Sequence, residues 1–474
     1  MKPLLLSAAI AAICALSCAH AAETTRIPAD ALATAASLRE RAASDPTAFD
    51  FVAGLTTEVG PRLAGGVNDQ RARDWTVARF KALGFDEVWT EPVSYPRWVR
   101  RSEHADIVAP FAQQLAVSAL GNSPGTPKGG LRGDVVAFKD LPALKGADAA
   151  SVKGKIVYIG YRMHAQRDGH DYGPATAGRT GGPAVAAKMG ALAFELRSAG
   201  SDSDRLPHTG VTNFEAKGAR IPAAAVSNPD ADLIERMLAS GKPVTLHLDL
   251  DCGIDGAYTG ANVIGQIDGS AKPDEIVEIG GHLDSWDPGT GAIDDGAGVA
   301  TAVGAAHLIA TLPQRPRRSV RVVAFANEEA GMIGGKAYAE AHKNDIARHI
   351  IASEADFGSG PIWKLSSQVK PEALGAVDQI MQALGPLGVA RGASTAHGGD
   401  FGALGEAGEA IMDLTEDGTH YFDWHHTAND TLDKIDAKDL NHNVAVYAVF
   451  AYLAAQADGD FGSAPGAFPK AGTD

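Results

Sequence analysis

Apolar and polar positions repeat with two different periods along this chain, and the change of period divides it into segments. Short apolar runs typical of buried strands occur at 262–267, 275–281, 319–326 and 349–356. Longer segments with the three-to-four-residue apolar spacing of helices lie at 296–312, 334–342, 371–387 and 437–457. Alternation of strands with helices predicts an α/β fold, a mostly parallel mixed sheet with helices on both faces.

The first half of the chain follows a different pattern. Residues 45–66 and 68–85 are predicted to form two helices, and a strand follows at 86–95. Between about residues 106 and 255 the sequence is richer in turn residues, with short predicted strands and a predicted helix at 181–198. This composition, with its short strands, predicts a separate β-rich module. The segment 458–474 is predicted to be a flexible tail.

The N-terminus has the pattern of a secretory signal peptide. Lys2 is followed by an apolar run and by the small-residue cleavage pattern Ala19-His20-Ala21. We therefore expect residues 1–21 to be removed, so that a secreted or periplasmic protein begins at about Ala22. Lipoprotein anchoring at Cys18 is disfavoured, because Ala15 stands where a bulky aliphatic residue is expected.

Charge, hydropathy and cysteine content argue against nucleic-acid binding, membrane association and an internal disulfide. The chain has 42 basic and 58 acidic residues, a formal net charge of −16, which disfavours binding to nucleic acid or to anionic membranes. The apolar part of the last predicted helix is too short to cross a bilayer, so no membrane span is expected. After signal removal Cys252 is the only cysteine, which excludes an intramolecular disulfide.

Acidic residues and a histidine follow three of the predicted strands. His282 and Asp284 come after 275–281, Glu328 and Glu329 after 319–326, and Asp356 ends 349–356. Ligands of open α/β sheets bind beyond the carboxyl ends of the strands, where these loops converge. Imidazole nitrogens and carboxylate oxygens are zinc ligands, so the pattern predicts a zinc site.

Two further segments complete the candidate site. Asp294 and Asp295 lie in a glycine-flanked turn before a helix, where one carboxylate could bridge two metal ions. The adjacent acids at 328 and 329 suggest one metal ligand and one general base. A second histidine comes from His425 or His426, and composition alone does not choose between them.

These segments resemble a known family. "GGHLDSWDPGTGAIDDGAG" (280–298), "FANEEAGMIGG" (325–335), "SEADFGSG" (353–360) and "WHHTANDT" (424–431) resemble the co-catalytic dizinc exopeptidases, of zinc aminopeptidase and glutamate carboxypeptidase type. The resemblance implies a zinc exopeptidase fold with a discontinuous catalytic domain, 22–105 and 256–457. It also implies that residues 106–255 are an inserted domain of protease-associated type, and that the protein is a homodimer.

The resemblance also assigns roles to residues. It implies two Zn²⁺ per chain, with His282 and Asp356 on one ion, Glu329 and His426 on the other, and Asp294 between them. Glu328 would be the general base, and Asp284 would support His282. A cis peptide bond is implied between Asp294 and Asp295.

The resemblance implies a secreted zinc-dependent exopeptidase that hydrolyses dipeptides or short peptides by metal-activated water. The family includes carboxypeptidases or dipeptidases as well as aminopeptidases, and the sequence does not settle which end of the peptide is read. A non-catalytic receptor-like relative would have lost ligands, and a single-zinc glutaminyl-cyclase-type transferase lacks this full set. His397 and His425 are predicted substrate contacts, whereas His208 belongs either to the cleft or to an ordinary turn.

Overall fold

The computed structural model describes residues 24–393 and 395–468. The predicted signal peptide lies outside the described residues, as do residues 469–474 of the predicted tail. The described strands form one sheet of 14 strands. These strands are β1 Glu87–Ala109, β2 Gln113–Leu115, β3 Val117–Ala119, β4 Leu131–Phe138, β5 Ile156–Ile159, β6 Ala193–Arg197, β7 Ala223–Val226, β8 Thr245–Ile267, β9 Lys272–His282, β10 Arg318–Phe325, β11 His349–Glu354, β12 Lys364–Gln368, β13 Ala390–Arg391 and β14 Ile411–Thr415.

Helices pack on both faces of this sheet. The α-helices of the described residues are α1 Ala29–Ala42, α2 Thr47–Gly54, α3 Asp69–Ala82, α4 Leu141–Lys145, α5 Ala149–Val152, α6 Tyr172–Lys188, α7 Asn228–Ala239, α8 Ala297–Ala310, α9 Ile333–His342, α10 Leu374–Leu384, α11 Gly402–Ala407, α12 Tyr421–Trp424 and α13 Ala437–Gln456. Short π-helical segments extend α2 over Leu55–Val59 and precede α8 over Ala292–Gly296. Short 3-10 segments lie at Ile346–Arg348, Pro371–Ala373, Gly385–Leu387, Gly399–Phe401 and Leu432–Lys434.

The order of the strands confirms the predicted mixed α/β sheet. It runs β13-β12-β14-β11-β9-β10-β8-β4-β5-β6-β7-β3, and β1 and β2 are added alongside β8. β9 pairs in parallel with β10 and β11, and β8 and β12 add antiparallel partners. Both faces of β10 are buried, since Val322 packs in the core with α8 and α13 while Val323 packs on the other face with α9 and α11. Burial on both faces explains why its sequence is an unbroken apolar run.

The long strands β1 and β8 connect the two halves of the molecule. They pair antiparallel along most of their length, from Glu87 opposite Gln266 to Ala109 opposite Thr245. The predicted boundaries at about 106 and 255 therefore fall inside strands. The residues between them carry the parallel strands β4, β5 and β6 with β7. They pack around one hydrophobic cluster of their own and around a second that also includes Trp98 and Trp286.

Three sequence predictions need correction in the described residues. The predicted helix over 45–66 ends at Val59, because Gly60 adopts φ 82°. The predicted helix over 181–198 is helical only as far as Lys188, because Gly190 adopts φ 80° and the next apolar residues pair as β6 between β5 and β7. The predicted flexible tail is packed where the structure describes it. Phe461 is fully buried, and the backbone of Asp458 pairs with that of Arg26. In addition, none of the described helices is both long and apolar enough to cross a membrane.

Candidate metal centre

The candidate site lies where β9, β10 and β11 end. These three strands are parallel neighbours, with His282 opposite Phe325 and Gly280 opposite Glu354. Their following loops therefore open at the same edge of the sheet, as expected of an α/β sheet. The acidic residues predicted from the sequence are brought together there.

One half of the site surrounds His282. Its Nε2 atom lies 3.2 Å from Oδ1 of Asp294 and 3.5 Å from Oδ1 of Asp356. Its Nδ1 atom lies 3.0 Å from the backbone carbonyl oxygen of Asp284, and it donates a hydrogen bond there if it carries the proton. That arrangement leaves Nε2 free to bind a cation.

The other half surrounds His426. Its Nε2 atom lies 3.2 Å from Oδ2 of Asp294 and 3.0 Å from Oε2 of Glu329. The two oxygens of Asp294 thus face two different histidines, each accompanied by a second carboxylate. Such a carboxylate can bridge two cations, which stand about 3.5–4 Å apart in two-metal sites.

The turn that presents Asp294 is held by its neighbour. The peptide bond between Asp294 and Asp295 is cis, in agreement with the resemblance. The carboxylate of Asp295 accepts hydrogen bonds from the backbone N–H of His282 at 2.9 Å and of Gly298 at 3.1 Å. Gly298 permits this contact, since a Cβ atom there would clash with the Asp295 carboxylate and with the carbonyl oxygen of Ala355. Asp295 therefore supports the turn from behind.

Asp284 and Glu328 lie beside this cluster. Oδ1 of Asp284 accepts the backbone N–H of Glu328 at 3.0 Å and lies 3.8 Å from Nδ1 of His282. The support of His282 expected from the Asp284 carboxylate is thus provided by the carbonyl of the same residue. Burial raises the pKa of Asp284 to about 7, although the charge of His282 opposes the rise. Burial likewise raises the pKa of Glu328 well above its ordinary value.

The donor atoms fit divalent cations. Oε1 of Glu329 and Oδ2 of Asp294 are buried and make no hydrogen bond with a described residue. No Lys or Arg within the described ranges forms an ion pair with either carboxylate. The nearby Arg62 instead donates to the backbone carbonyls of Leu283, Gly60, Thr290 and Gly291. Buried charges are rarely left unpaired unless they coordinate a metal, so two cations match this donor set.

The structure gives the two candidate histidines different contacts. His425 and His426 stack with ring centroids 3.5 Å apart, and His426 adopts φ 62°, which turns it toward Glu329. His425 reaches only Oδ2 of Asp294, at 3.5 Å, and its ring packs edge-on against Tyr172 and Phe422. Burial lowers the pKa of His425 well below its ordinary value, so it is uncharged. His425, which the sequence predicted as a substrate contact, thus lies buried between Asp294 and these aromatic rings.

His397 is not part of this cluster. It is exposed, and its backbone N–H donates to Asp413 at 2.7 Å. It lines a cavity of about 440 Å³ that also reaches Asp356. The structure thus places it on the wall beside the site.

From the residues between β1 and β8 the sequence offered only His208 as a possible cleft residue, whereas the structure brings the backbone of its neighbour to the site. Nδ1 of His426 lies 3.2 Å from the backbone carbonyl oxygen of Thr209. Arg179 of α6 is buried and donates to the same carbonyl at 3.3 Å. His208 lies next to Thr209, is fully buried and pairs with Asp202 at 2.5 Å. No periodicity marks a backbone carbonyl as a partner, so this support could be found only in three dimensions.

Comparison with known proteins agrees with this geometry. Residues 262–451 match the family model of peptidase family M28. Carboxypeptidase Q of Mus musculus is 34% identical over 409 residues, covering 85% of this chain and 84% of that protein. The crystal structure of a peptidase M28 precursor from Shewanella amazonensis is 46% identical, covers 92% of this chain and 99% of that one, and superposes with a TM-score of 0.90. A zinc aminopeptidase from Bacillus subtilis, 19% identical, covers 85% of this chain and 94% of that one with a TM-score of 0.61, which indicates the shared fold.

Proposed function

Because this chain belongs to peptidase family M28 and is a metallo-exopeptidase, we propose that it hydrolyses dipeptides or short peptides with two zinc ions per chain. The observation that carries the proposal is the placement of Asp294, whose two carboxylate oxygens face His282 and His426 at 3.2 Å each. Asp356 would complete the first zinc site and Glu329 the second. Zinc is the metal that the donor set of imidazoles and carboxylates favours.

Glu328 is proposed as the general base. When bound, the zinc ions polarise the scissile carbonyl and increase the acidity of the attacking water. Glu328 takes the proton from that water and passes it to the leaving amine. Asp284 holds the backbone of Glu328 through the 3.0 Å hydrogen bond described above, so it fixes the position of the base.

The surroundings of the site suit this chemistry. His282 directs Nδ1 to the carbonyl of Asp284, and His426 directs Nδ1 to that of Thr209, so both rings present Nε2 to the cations. The proposed ligands and Asp284 are buried apart from Asp356, which is half-buried and reaches the neighbouring cavity, and Glu328 is half-buried as well. We also propose that residues 106–255 form an inserted domain of protease-associated type, which the resemblance implies and which a hydrophobic cluster confined to that segment supports.

Export and assembly form part of the same proposal. The N-terminal pattern of residues 1–21 supports export to the periplasm or the medium. A homodimer is proposed on the family resemblance alone. A receptor-like binding protein is the competing function, and it is disfavoured because each expected ligand position carries a residue able to bind zinc.

Metal content and activity test the proposal together. Protein purified without chelator is expected to contain two zinc ions per chain by elemental analysis. Chelation should abolish hydrolysis of a dipeptide panel, and added Zn²⁺ should restore it. A single tightly bound ion, or activity that chelators do not change, would refute the dizinc mechanism. Lack of hydrolysis by zinc-loaded protein would favour the binding function instead.

A further inference from the structure

Two histidines and an aspartate meet at the end of β11 that is opposite the candidate metal centre. His342 ends α9, Asp345 precedes the 3-10 segment Ile346–Arg348, and His349 begins β11. Nδ1 of His342 lies 3.7 Å from Oδ1 of Asp345, and Nε2 of His349 lies 3.8 Å from the same oxygen. Because β11 runs from this group toward Asp356, the group lies about 20 Å from the candidate metal centre.

The other ring nitrogen of each histidine faces a carboxylate. Nε2 of His342 lies 3.2 Å from Oε1 of Glu91, and Nδ1 of His349 lies 2.6 Å from Oε2 of Glu278. Histidines that bind metal ions almost always place their second nitrogen on such a partner, which fixes the ring and makes the free nitrogen a better ligand. Both rings thus turn their remaining nitrogen toward Asp345.

The nitrogen that His349 directs to this group is buried without a hydrogen bond. His349 is fully buried, and its Nε2 atom has no hydrogen-bond partner among the described residues. A buried polar atom without a partner destabilises the fold. Asp345 does not remove this cost, since 3.8 Å is longer than a hydrogen bond. A cation between the two would satisfy this nitrogen and the carboxylate together.

Asp345 has no basic residue to balance its charge. No lysine or arginine in 24–393 or 395–468 forms an ion pair with it, and its nearest basic neighbours along the chain, Lys343 and Arg348, pair with other acids. Arg321 lies on the inner side of His349, where it faces the carboxylate that Nδ1 of His349 contacts. The inner side of His349 thus has a cation of its own, whereas the side toward Asp345 does not.

The positions of the three donor atoms suit a small transition-metal ion. Two imidazole nitrogens and one carboxylate oxygen are zinc ligands, and the three lie within 4.8 Å of one another. Tetrahedral zinc holds such atoms at about 2.0–2.1 Å, and therefore about 3.3 Å apart. A small rotation of the half-buried Asp345 would shorten the separations of 3.7 and 3.8 Å to that value. The ring of His342 is already positioned against that of Tyr338, with 4.3 Å between centroids.

We propose that His342, Asp345 and His349 bind an exchangeable divalent transition-metal ion, with Zn²⁺ the ion that fits best, at a site separate from the candidate metal centre. Because Asp345 must move to close the site, the ion is held less tightly than at the buried centre around Asp294. Gel filtration should therefore remove it. When bound, the ion links the end of α9 to the start of β11 and stabilises the fold without taking part in catalysis.

Zinc titration of the gel-filtered protein tests the inference. Calorimetry on wild type should show one equivalent of Zn²⁺ bound in addition to the ions that the protein already holds, and added Zn²⁺ should raise the unfolding temperature. His342→Gln and Asp345→Asn should lose both effects. Glu91→Gln, which changes the partner of His342, should weaken the added equivalent by about 10- to 100-fold. His104→Gln is the matched control and should behave as wild type, because His104 is an exposed histidine that pairs with Asp106 at 2.6 Å.

Two results would overturn the inference. One is a wild-type titration without an additional equivalent, and the other is an additional equivalent that His342→Gln and Asp345→Asn both retain. Dipeptide hydrolysis should match wild type in each variant, since these residues lie at the far end of β11, and a matching rate shows that the variant is folded. If His342→Gln does not fold, Asp345→Asn and Glu91→Gln at partly exposed positions decide the question. The difference of one equivalent between wild type and Asp345→Asn remains the readout even if the dizinc proposal fails.

Discussion

Two clusters of histidine and acid lie on the same central strands, yet only one has the properties of a metal centre. The outer cluster surrounds Asp294 at the end of β9. The inner cluster lies in the middle of the sheet and comprises Glu278 of β9, His349 of β11, Arg321 of β10, Tyr338 of α9 and Glu409. In both clusters three potential metal donors stand close together. Nδ1 of His349 lies 2.6 Å from Glu278, closer than any histidine–acid pair at the outer cluster.

The difference lies in how the negative charge is balanced. At the inner cluster Arg321 lies 3.9 Å from Glu278, and the hydroxyl of Tyr338 donates to the same carboxylate. Burial, followed by the charge of Glu278, raises the pKa of Glu409 well above its ordinary value, which favours its neutral form. The inner cluster thus has its own cation, whereas the carboxylates of Asp294 and Glu329 have no Arg or Lys partner among the described residues. Proximity of donors does not by itself indicate a metal site, and the absence of an Arg or Lys partner is the more discriminating sign.

Replacing the proposed bridging residue should have the largest effect on turnover. Asp294→Asn removes the negative charge that the two proposed ions would share, so zinc content should fall well below two per chain. Because metal polarisation contributes several kcal/mol to catalysis, kcat/KM should fall by about a thousandfold or more. Elemental analysis and dipeptide hydrolysis measure the two effects. Asp433→Asn, on an exposed ion pair, is the control. Retention of both ions by Asp294→Asn would contradict the bridging role.

Replacing the proposed base should reduce turnover while leaving the metal in place. Glu328→Gln is expected to lower kcat by about 10²- to 10⁴-fold, the usual contribution of a general base. Zinc content should stay near wild type, because Glu328 is not a proposed ligand. Glu340→Gln on the exposed face of α9 is the matched control. A variant that keeps more than about a tenth of the wild-type rate would show that another group takes the proton.

Loosening the support of His426 should have a smaller effect. Arg179→Met removes the donor that holds the carbonyl of Thr209, against which His426 is oriented. Partners that orient metal ligands typically contribute about 10- to 100-fold to metal affinity or activity. Competition with a zinc-binding dye measures that affinity. Arg205→Met, which removes a half-exposed arginine paired with Asp230 in the same segment, is the control. Equal zinc affinity in both variants would assign Arg179 a purely structural role.

Much of the fold could be predicted from the sequence, because β10 and its neighbours are apolar on both faces and helices alternate with them. The resemblance to dizinc exopeptidases is likewise confirmed by the 34% identity to carboxypeptidase Q. What escaped prediction depends on contacts between distant segments. The packing of Phe461 follows from tertiary burial, and the Thr209 carbonyl is a backbone group without a residue signature. The inner cluster escaped for the same reason, since the partners of Glu278 come from β10, β11 and α9.

The smallest effect on turnover is expected at the inner cluster, where the consequence should be lost stability. Burial by itself would raise the pKa of Glu278, but the charge and hydrogen bond of His349, together with Arg321, lower it to about 2 from an ordinary value of 4.5. Glu278→Gln leaves these buried partners without their counter-charge and should reduce the free energy of unfolding by about 3–5 kcal/mol. Zinc content and kcat should match wild type, and Glu340→Gln should cost less than about 1 kcal/mol.

The pH dependence of this loss distinguishes charge from packing. A carboxyl whose folded-state pKa is depressed stabilises the fold above its unfolded pKa, and that stabilisation disappears as pH falls toward the folded value. The stability difference between wild type and Glu278→Gln should therefore be complete above about pH 4.5 and should narrow as the pH falls toward 2. Urea unfolding at a series of pH values measures it. A difference that stays constant with pH would mean that shape alone stabilises the inner cluster. A loss of zinc in this variant would mean that the two clusters are not independent, because a change confined to internally balanced charges should leave the outer cluster intact.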